Sequence, residues 1–312
     1  MEQQQATEVS YRFDLDDPNW VSYLSDNGYV VIKAVANEEQ VQTAIDLFWE
    51  HFEQVQNVKR DDLESWRQWR TDKRGIVVDA EVIQCAGAWY VRGLPKIKEA
   101  FQKIWNEEDL IVSMDSLLLW KPWWLDPEGR WLPLTEGFHV DQNPFQKPEK
   151  LCVQGMVPLY DVTDATGGLE IVPQSNLPKS QAALKSACPR FDGMGDFCRI
   201  MKNNPVIVSN GRKLLLAQAG DLILWDSRTI HSGFVGTGKG VEAQNPPRLA
   251  RLTQTVCMIP RSRATPRILE QRRVGFEKGH GFTHWPNEAV ITAAAGSDYK
   301  PVELTSEQLA LL

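Results

Sequence analysis

The stretch "EGFHVDQNPF", Glu136 to Phe145, sets a histidine and an aspartate two positions apart with a glutamine directly after. On an extended segment, residues i and i+2 project to one face, so His139 and Asp141 can grip one ion together. His231 follows about 90 residues later, behind "GDLILWDSRTI", and in a jelly roll strands so distant in sequence can lie side by side. Two imidazoles and one carboxylate form a facial triad that leaves three positions of an octahedral Fe(II) open. Zinc accepts the same ligands, although a catalytic zinc keeps a tetrahedron with one open position. The bland alternative is a pair of polar residues ending a strand and a hydrogen-bonded core histidine. His-x-Asp by itself does not separate these readings, and the order of the surrounding motifs has to.

Elements that could position such a site are visible along the chain. "NGYVVIKAV" (Asn27 to Val35) reads as a strand after a turn. In "NEEQVQTAIDLFWEHFEQVQ" the apolar Val41, Ala44, Ile45, Phe48, Phe52 and Val55 recur at helical spacing, and Asn37 with Gln40 supplies a capping box. A second helix is expected from Pro95 to Trp105, with proline in its first turn. From Leu110 to Pro260 short apolar or alternating runs alternate with Gly, Pro, Asn and Asp: "IVSMDSLLLW", "LCVQGMVPLY", "GGLEIVP", "KLLLAQ", "DLILWD", "IHSGF" and "RLTQTVCMI". Seven or eight such antiparallel strands would make a jelly roll. The segment Gln181 to Asn204 breaks the rhythm and reads as an inserted connection with a short helix.

The His-x-Asp pair, a strand, the turn "DVTDATGGLEIVPQSN", a Gly-Asp turn before an apolar strand ("AGDLILWD"), His231 and an arginine opening the last long strand follow in fixed order. This succession resembles the phytanoyl-CoA dioxygenase family of Fe(II)- and 2-oxoglutarate-dependent oxygenases, from about Asn27 to Pro260 and most closely beyond Phe138. The resemblance implies a mainly β fold with flanking helices (α+β) around a double-stranded β-helix core, jelly roll and cupin-like. It also implies one domain over 1–312: a helical N-terminal part to about 109, a core over 110–260 and an extension over 261–312.

It further implies that His139, Asp141 and His231 ligate Fe(II), with 2-oxoglutarate and dioxygen as cosubstrates. An arginine at the head of the last strand would hold the far carboxylate of 2-oxoglutarate, and Arg248 and Arg251 compete for that role. In "RLARLTQTVCMIP" alternation puts Arg251, Thr253, Thr255 and Cys257 on one face, so Arg251 is favoured, with Thr253 adding a hydroxyl to its two parallel donors. Some relatives use a glutamine after the His-x-Asp pair against the cosubstrate, which would be Gln142. Two departures stand out: the loop between His231 and Arg251 is long, and Asn176 occupies a turn position where much of the family has histidine.

The expected reaction is oxidation of an unactivated C–H bond of a small molecule, by hydroxylation or by desaturation or ring closure in a biosynthetic pathway. The retained Asp141 speaks against halogenation, which needs a small residue there. A non-catalytic cupin-like protein that binds metal or a small molecule is the alternative from another class. A zinc hydrolase lacks an obvious additional base.

Composition excludes several other classes. Of 312 residues 42% are apolar and 24% charged, the net charge is −7, and no apolar run approaches a membrane span. The charge gives no general attraction to nucleic acid. Five cysteines stand singly, as reduced thiols of a cytoplasmic protein do, and the first residues look like no leader. The segment Lys59 to Gly75 interleaves Arg60, Arg67, Arg70, Lys73 and Arg74 with acids and two tryptophans. It reads as a solvated helix and loop, or alternatively as a lid over a polar or carboxylated substrate. His280 and His284 are expected at the surface, Glu136 either behind His139 or in solvent, and Gly167 and Gly168 in a turn with positive φ. One or two tryptophans near the His-x-Asp pair could wall a substrate pocket. Oligomeric state is open.

Overall fold

Valine, isoleucine and leucine runs too short for helices pair into two facing sheets in the computed structural model, which describes residues 11–69, 71–188, 195–241 and 247–312. Arg70, six residues of the inserted connection and five of the loop before Arg251 lie outside the described residues. The strands are β1 (Arg12–Phe13), β2 (Tyr29–Ile32), β3 (Ile76–Val77), β4 (Leu110–Val112), β5 (Leu117–Trp120), β6 (His139–Val140), β7 (Val153–Pro158) and β8 (Gly167–Ile171). They continue as β9 (Cys198–Arg199), β10 (Lys213–Leu214), β11 (Leu222–Asp226), β12 (His231–Val235), β13 (Arg251–Pro260), β14 (His280–Phe282) and β15 (Ile291–Ala294). The larger sheet runs β1-β2-β11-β7-β13-β5-β3, with β4 also on β13; the smaller runs β10-β8-β12-β6-β9. Only β1 and β2 pair in parallel within these two sheets.

Alternation sorts each strand's side chains into two cores. From β2 and β11, Tyr29, Val31, Ile223 and Trp225 turn inward and meet Leu169 and Ile171 of β8 between the sheets. Val30, Ile32, Leu222 and Leu224 turn outward, under a helical layer carrying Phe48, Phe52, Ile97 and Phe101. That layer forms as expected. Helix Glu38–Gln56 is opened by the reciprocal Asn37 and Gln40 capping box, and helix Pro95–Trp105 by a proline in its first turn. Helices Pro178–Ala187 and Pro205–Asn210 cover the outer face of the smaller sheet through Leu184, Val206 and Ile207.

The expected strand "IVSMDSLLLW" is broken into β4 and β5, because residues 113–116 bond elsewhere. The Ser113 N–H donates to Cys257 O at 2.7 Å, and Met114 O accepts from Phe282 N–H at 2.7 Å. Asp115 O accepts from Arg92 Nη2 at 3.0 Å and Ser116 O from the Thr255 hydroxyl at 2.5 Å. Of the two turn glycines, Gly167 takes φ 74° as expected, whereas Gly168 is needed for space: a Cβ there would stand 2.4 Å from Val162 Cγ1.

Gly167 opens β8 against β12, and a Cβ on it would meet Phe234 O at 2.2 Å. Gly167→Ala is therefore expected to destabilise the protein by about 2 kcal/mol or more. Gly129→Ala, with φ 66° but nothing within 4 Å of the added Cβ, should cost clearly less. Urea unfolding of both variants checks the difference.

Candidate metal centre

His139 and His231 are register partners across β6 and β12, so two imidazoles distant in sequence stand side by side with ring centroids 4.3 Å apart. Asp141 follows β6, its N–H held by Ser227 O at 3.0 Å. One donor atom from each of the three lies within 4.8 Å of the others, the only such group of three or more potential ligands among the described residues. Asp141 Oδ2 is 3.2 Å from His231 Nε2, and its Oδ1 is 3.8 Å from His139 Nε2. Donors around a common ion stand roughly 3 Å apart, so the donor set fits a small divalent metal.

Second contacts fix the orientation of each ligand. His139 Nδ1 lies 2.7 Å from Gly137 O and His231 Nδ1 2.9 Å from Thr229 O. With the protons on Nδ1, both Nε2 lone pairs face the shared point. Gln154 Nε2 donates to Asp141 Oδ2 at 2.9 Å, a contact missed in the sequence although Gln154 and Met156 alternate on β7 and both line the cavity.

That cavity, about 290 Å³, is walled by the triad, Arg251, Trp120, Trp225, Asp115 and His284 among others. A larger hollow of about 590 Å³ at the surface between Gln56 and Trp69 contains none of the triad. Arg251 enters the cavity with its guanidinium 4.9 Å from the Trp120 ring centroid. Its Nε is buried without a hydrogen-bond partner, and Nη2 reaches only Met156 Sδ, at 3.5 Å. A buried guanidinium so poorly satisfied has room for an anion. The competing Arg248 lies instead over Tyr160, 5.4 Å from its ring centroid.

The other residues singled out in the sequence are placed as follows. Gln142 is wholly buried outside the cavity and donates to Lys147 O at 2.7 Å and Glu149 O at 2.6 Å; with Asp141 facing the cavity, the next side chain faces away. Thr253 shares a face with Arg251 and is buried, but Thr255 rather than Thr253 lines the cavity. Glu136 neither supports His139 nor floats in solvent: it bridges Arg74 Nη1 and Arg199 Nη2, each at 2.5 Å. Of the described cations in the basic segment, only Arg74 lines this cavity, while Arg60 pairs with Asp46 and Arg67 with Glu64. His284, expected at the surface, lines the cavity with Nε2 buried and unpartnered. The pocket-walling tryptophans are Trp120 and Trp225, the second of which sits on β11 beyond the expected cluster.

Burial pulls the His139 imidazole down to about 4, helped by the adjacent His231. Burial pushes the Asp141 carboxyl upward, yet His139 and His231 outweigh it and hold the group well below the usual carboxylate range. Burial alone draws Arg251 down to about 10, leaving it cationic at neutral pH.

The profile of the phytanoyl-CoA dioxygenase family matches residues 24–239, and the chain belongs to that family. Its fold and its triad are those of an oxygenase dependent on iron and 2-oxoglutarate. "Ava biosynthesis cluster protein O" of Aspergillus versicolor is 26% identical over 299 residues, covering 92% of both chains. Among solved structures, the α-ketoglutarate-dependent carbocyclase SnoK from nogalamycin biosynthesis superposes with a TM-score of 0.53 at 17% identity, covering 80% of this chain and 87% of that one. The epimerase SnoN of the same biosynthesis gives 0.51 at 17%, covering 78% and 84%. A hypothetical Escherichia coli protein gives 0.60 at 14%, covering 97% and 86%. At these identities the structures share the fold with this chain.

The charge pattern sets an acid limit for the metal-free protein. His139 is depressed below its ordinary 6.5, so the unfolded chain takes up that proton first, and the stability is lost as pH falls from about 6.5 to about 4. Asp141, also depressed, loses its contribution at still lower pH. Denaturation of chelator-treated protein should show a decline on the order of 3 kcal/mol over the first window, reduced in His139→Gln.

Proposed function

We propose that this chain is an Fe(II)- and 2-oxoglutarate-dependent oxygenase that oxidises an unactivated C–H bond of a small molecule, releasing succinate and carbon dioxide. The reaction is hydroxylation, or desaturation or ring closure in a biosynthetic pathway. The observation that carries this reading is the sharing of one cavity by the His139, Asp141, His231 triad and the unsatisfied cation Arg251. Occurrence of the Aspergillus versicolor relative in a biosynthesis cluster favours the biosynthetic variant. The SnoN complex with Fe3+, α-ketoglutarate and nogalamycin RO is a precedent on the same fold.

In this reading His139, Asp141 and His231 hold the metal, and Gln154 keeps the Asp141 carboxylate turned toward it. When bound, Fe(II) supplies the dioxygen chemistry at the expense of 2-oxoglutarate. Arg251 holds the far carboxylate of that cosubstrate through two parallel donors, its plane backed by Trp120. Leu118, Met156, Leu169 and Trp225 keep water from the reacting carbon. No helix among the described residues is long and apolar enough to cross a membrane, and the substrate is a small molecule that enters the cavity.

A non-catalytic cupin-like binding protein is the reading to exclude. Anaerobic addition of Fe(II) and 2-oxoglutarate should give a visible charge-transfer band, and its absence overturns the oxygenase reading. Arg251→Met should raise the 2-oxoglutarate concentration for half-development of that band by about 10- to 100-fold. Gln154→Leu should weaken Fe(II) binding by about tenfold or more. Asp141→Ala should abolish succinate release; turnover unchanged in that variant would remove the ligand assignment.

A further inference from the structure

The cavity contains one carboxylate that forms no ion pair among the described residues, although His284 and Arg92 stand near enough to favour its charge. Its ionisable walls are Arg74, Asp115, Glu136, His139, Asp141, His231, Arg251 and His284. Glu136 is matched by Arg74 and Arg199, Asp141 belongs to the triad, and Arg251 awaits a carboxylate. Asp115 forms no ion pair among the described residues; Oδ1 accepts the Ser116 N–H at 2.7 Å. Arg92 stands behind it, donating to the Asp115 carbonyl at 3.0 Å and to Ile83 O at 2.7 Å, and does not line the cavity.

The broken strand aims this carboxylate. Carbonyls 114, 115 and 116 are all engaged by distant groups, which fixes the backbone from which the Asp115 side chain reaches the cavity wall. The same junction delivers His284: Phe282, two residues before it, donates to Met114 O at 2.7 Å. His284 Nε2 is buried without a partner. As the Nδ1–H tautomer it offers a second acceptor near the Asp115 carboxylate. Ser116 bonds Thr255, four residues along β13 from Arg251, so this end of the cavity lies roughly 13 Å along the strand from the cosubstrate clamp.

We propose that Asp115, assisted by His284, is a recognition subsite for a protonated amine on the substrate. The inference rests on the oxygenase reading for the word substrate, while the binding it describes does not require turnover. A half-buried carboxylate that forms no ion pair is only partly compensated, and a ligand ammonium supplies a full opposite charge and two or three donors. Burial pushes the Asp115 acid constant up, the direction that an arriving cation reverses. The aromatic Phe197, Trp120 and Trp225 on the cavity wall suit an aryl-bearing amine.

The test is calorimetry on the full-length protein, both metal-free and as the anaerobic Fe(II) and 2-oxoglutarate complex. The probes are tryptamine, its uncharged counterpart 3-ethylindole and the anionic indole-3-propionate. Tryptamine should bind at least about tenfold more tightly than either. Asp115→Asn keeps an acceptor for the Ser116 N–H and should erase that preference, and Asp115→Glu should restore part of it. Equal affinities, preference for the anion, no binding of tryptamine at millimolar concentration, or a preference surviving in Asp115→Asn each overturn the subsite. A missing charge-transfer band alongside an intact amine preference would count against the oxygenase reading alone.

Discussion

The pairing of β12 with β6, in the one register that sets His231 opposite His139, is the constraint on which the centre depends. Side chains alternate along a strand, so a slip of one residue would turn either imidazole out of the cavity. The β6 side of the pairing is short, and its register is held from outside. β12 is locked to β8 over five residues, the Ile230 N–H is taken by the Ser175 hydroxyl at 2.8 Å, and Asp141 and Gln142 both donate to Ser227 O. The loop closures that bring these segments together oppose folding only logarithmically in their length. Long connections, including the inserted helices, are therefore tolerated between ligands that must stand a few ångströms apart.

Around that register the chain divides the work between its two sheets. The smaller sheet brings both histidines, each with Nδ1 anchored on a backbone carbonyl two residues earlier in the chain. The larger sheet brings Gln154, Met156 and Arg251, whose strands β7 and β13 run side by side at its centre. Arg251 is the expensive element, a nearly buried guanidinium stacked on an indole and short of acceptors. Leaving donors unsatisfied costs stability that an anion would return on binding, which is the physical ground for the role proposed for Arg251.

Local pattern carried much of this. The capping box at Asn37 and Gln40, the proline-led helix at Pro95 and the common face of Arg251 and Thr255 on β13 follow from spacing alone. Alternation also chose Arg251 over Arg248. It misled where a residue's partner is non-local: Gln142 sits on the far side of its turn and is consumed by carbonyls 147 and 149. "IVSMDSLLLW" looks like one strand because nothing in it announces that Cys257, Phe282, Arg92 and Thr255 will claim its backbone. His284 was misjudged for a related reason, since "HGFTHW" is polar and glycine-bearing, and the bonds from Phe282 to Met114 and from Gln84 to His280, with burial of Phe282 and Trp285, draw it inward.

The two halves of the cavity are therefore built to different rules. The metal and carboxylate half stands on strands whose register is fixed by ladders on both sides. The other half is made of segments between elements: 113–116 with Asp115, 134–136 with Glu136, Phe197 beside β9, and 283–285 with His284. Such segments tolerate substitution without disturbing the ladders, and function resides in sites placed on a fold rather than in the fold itself. An unchanged oxidative centre can in this way be turned on different substrates by changing a few side chains. Among the described residues the carboxylate of that half which forms no ion pair is Asp115, held by the Ser116 N–H alone.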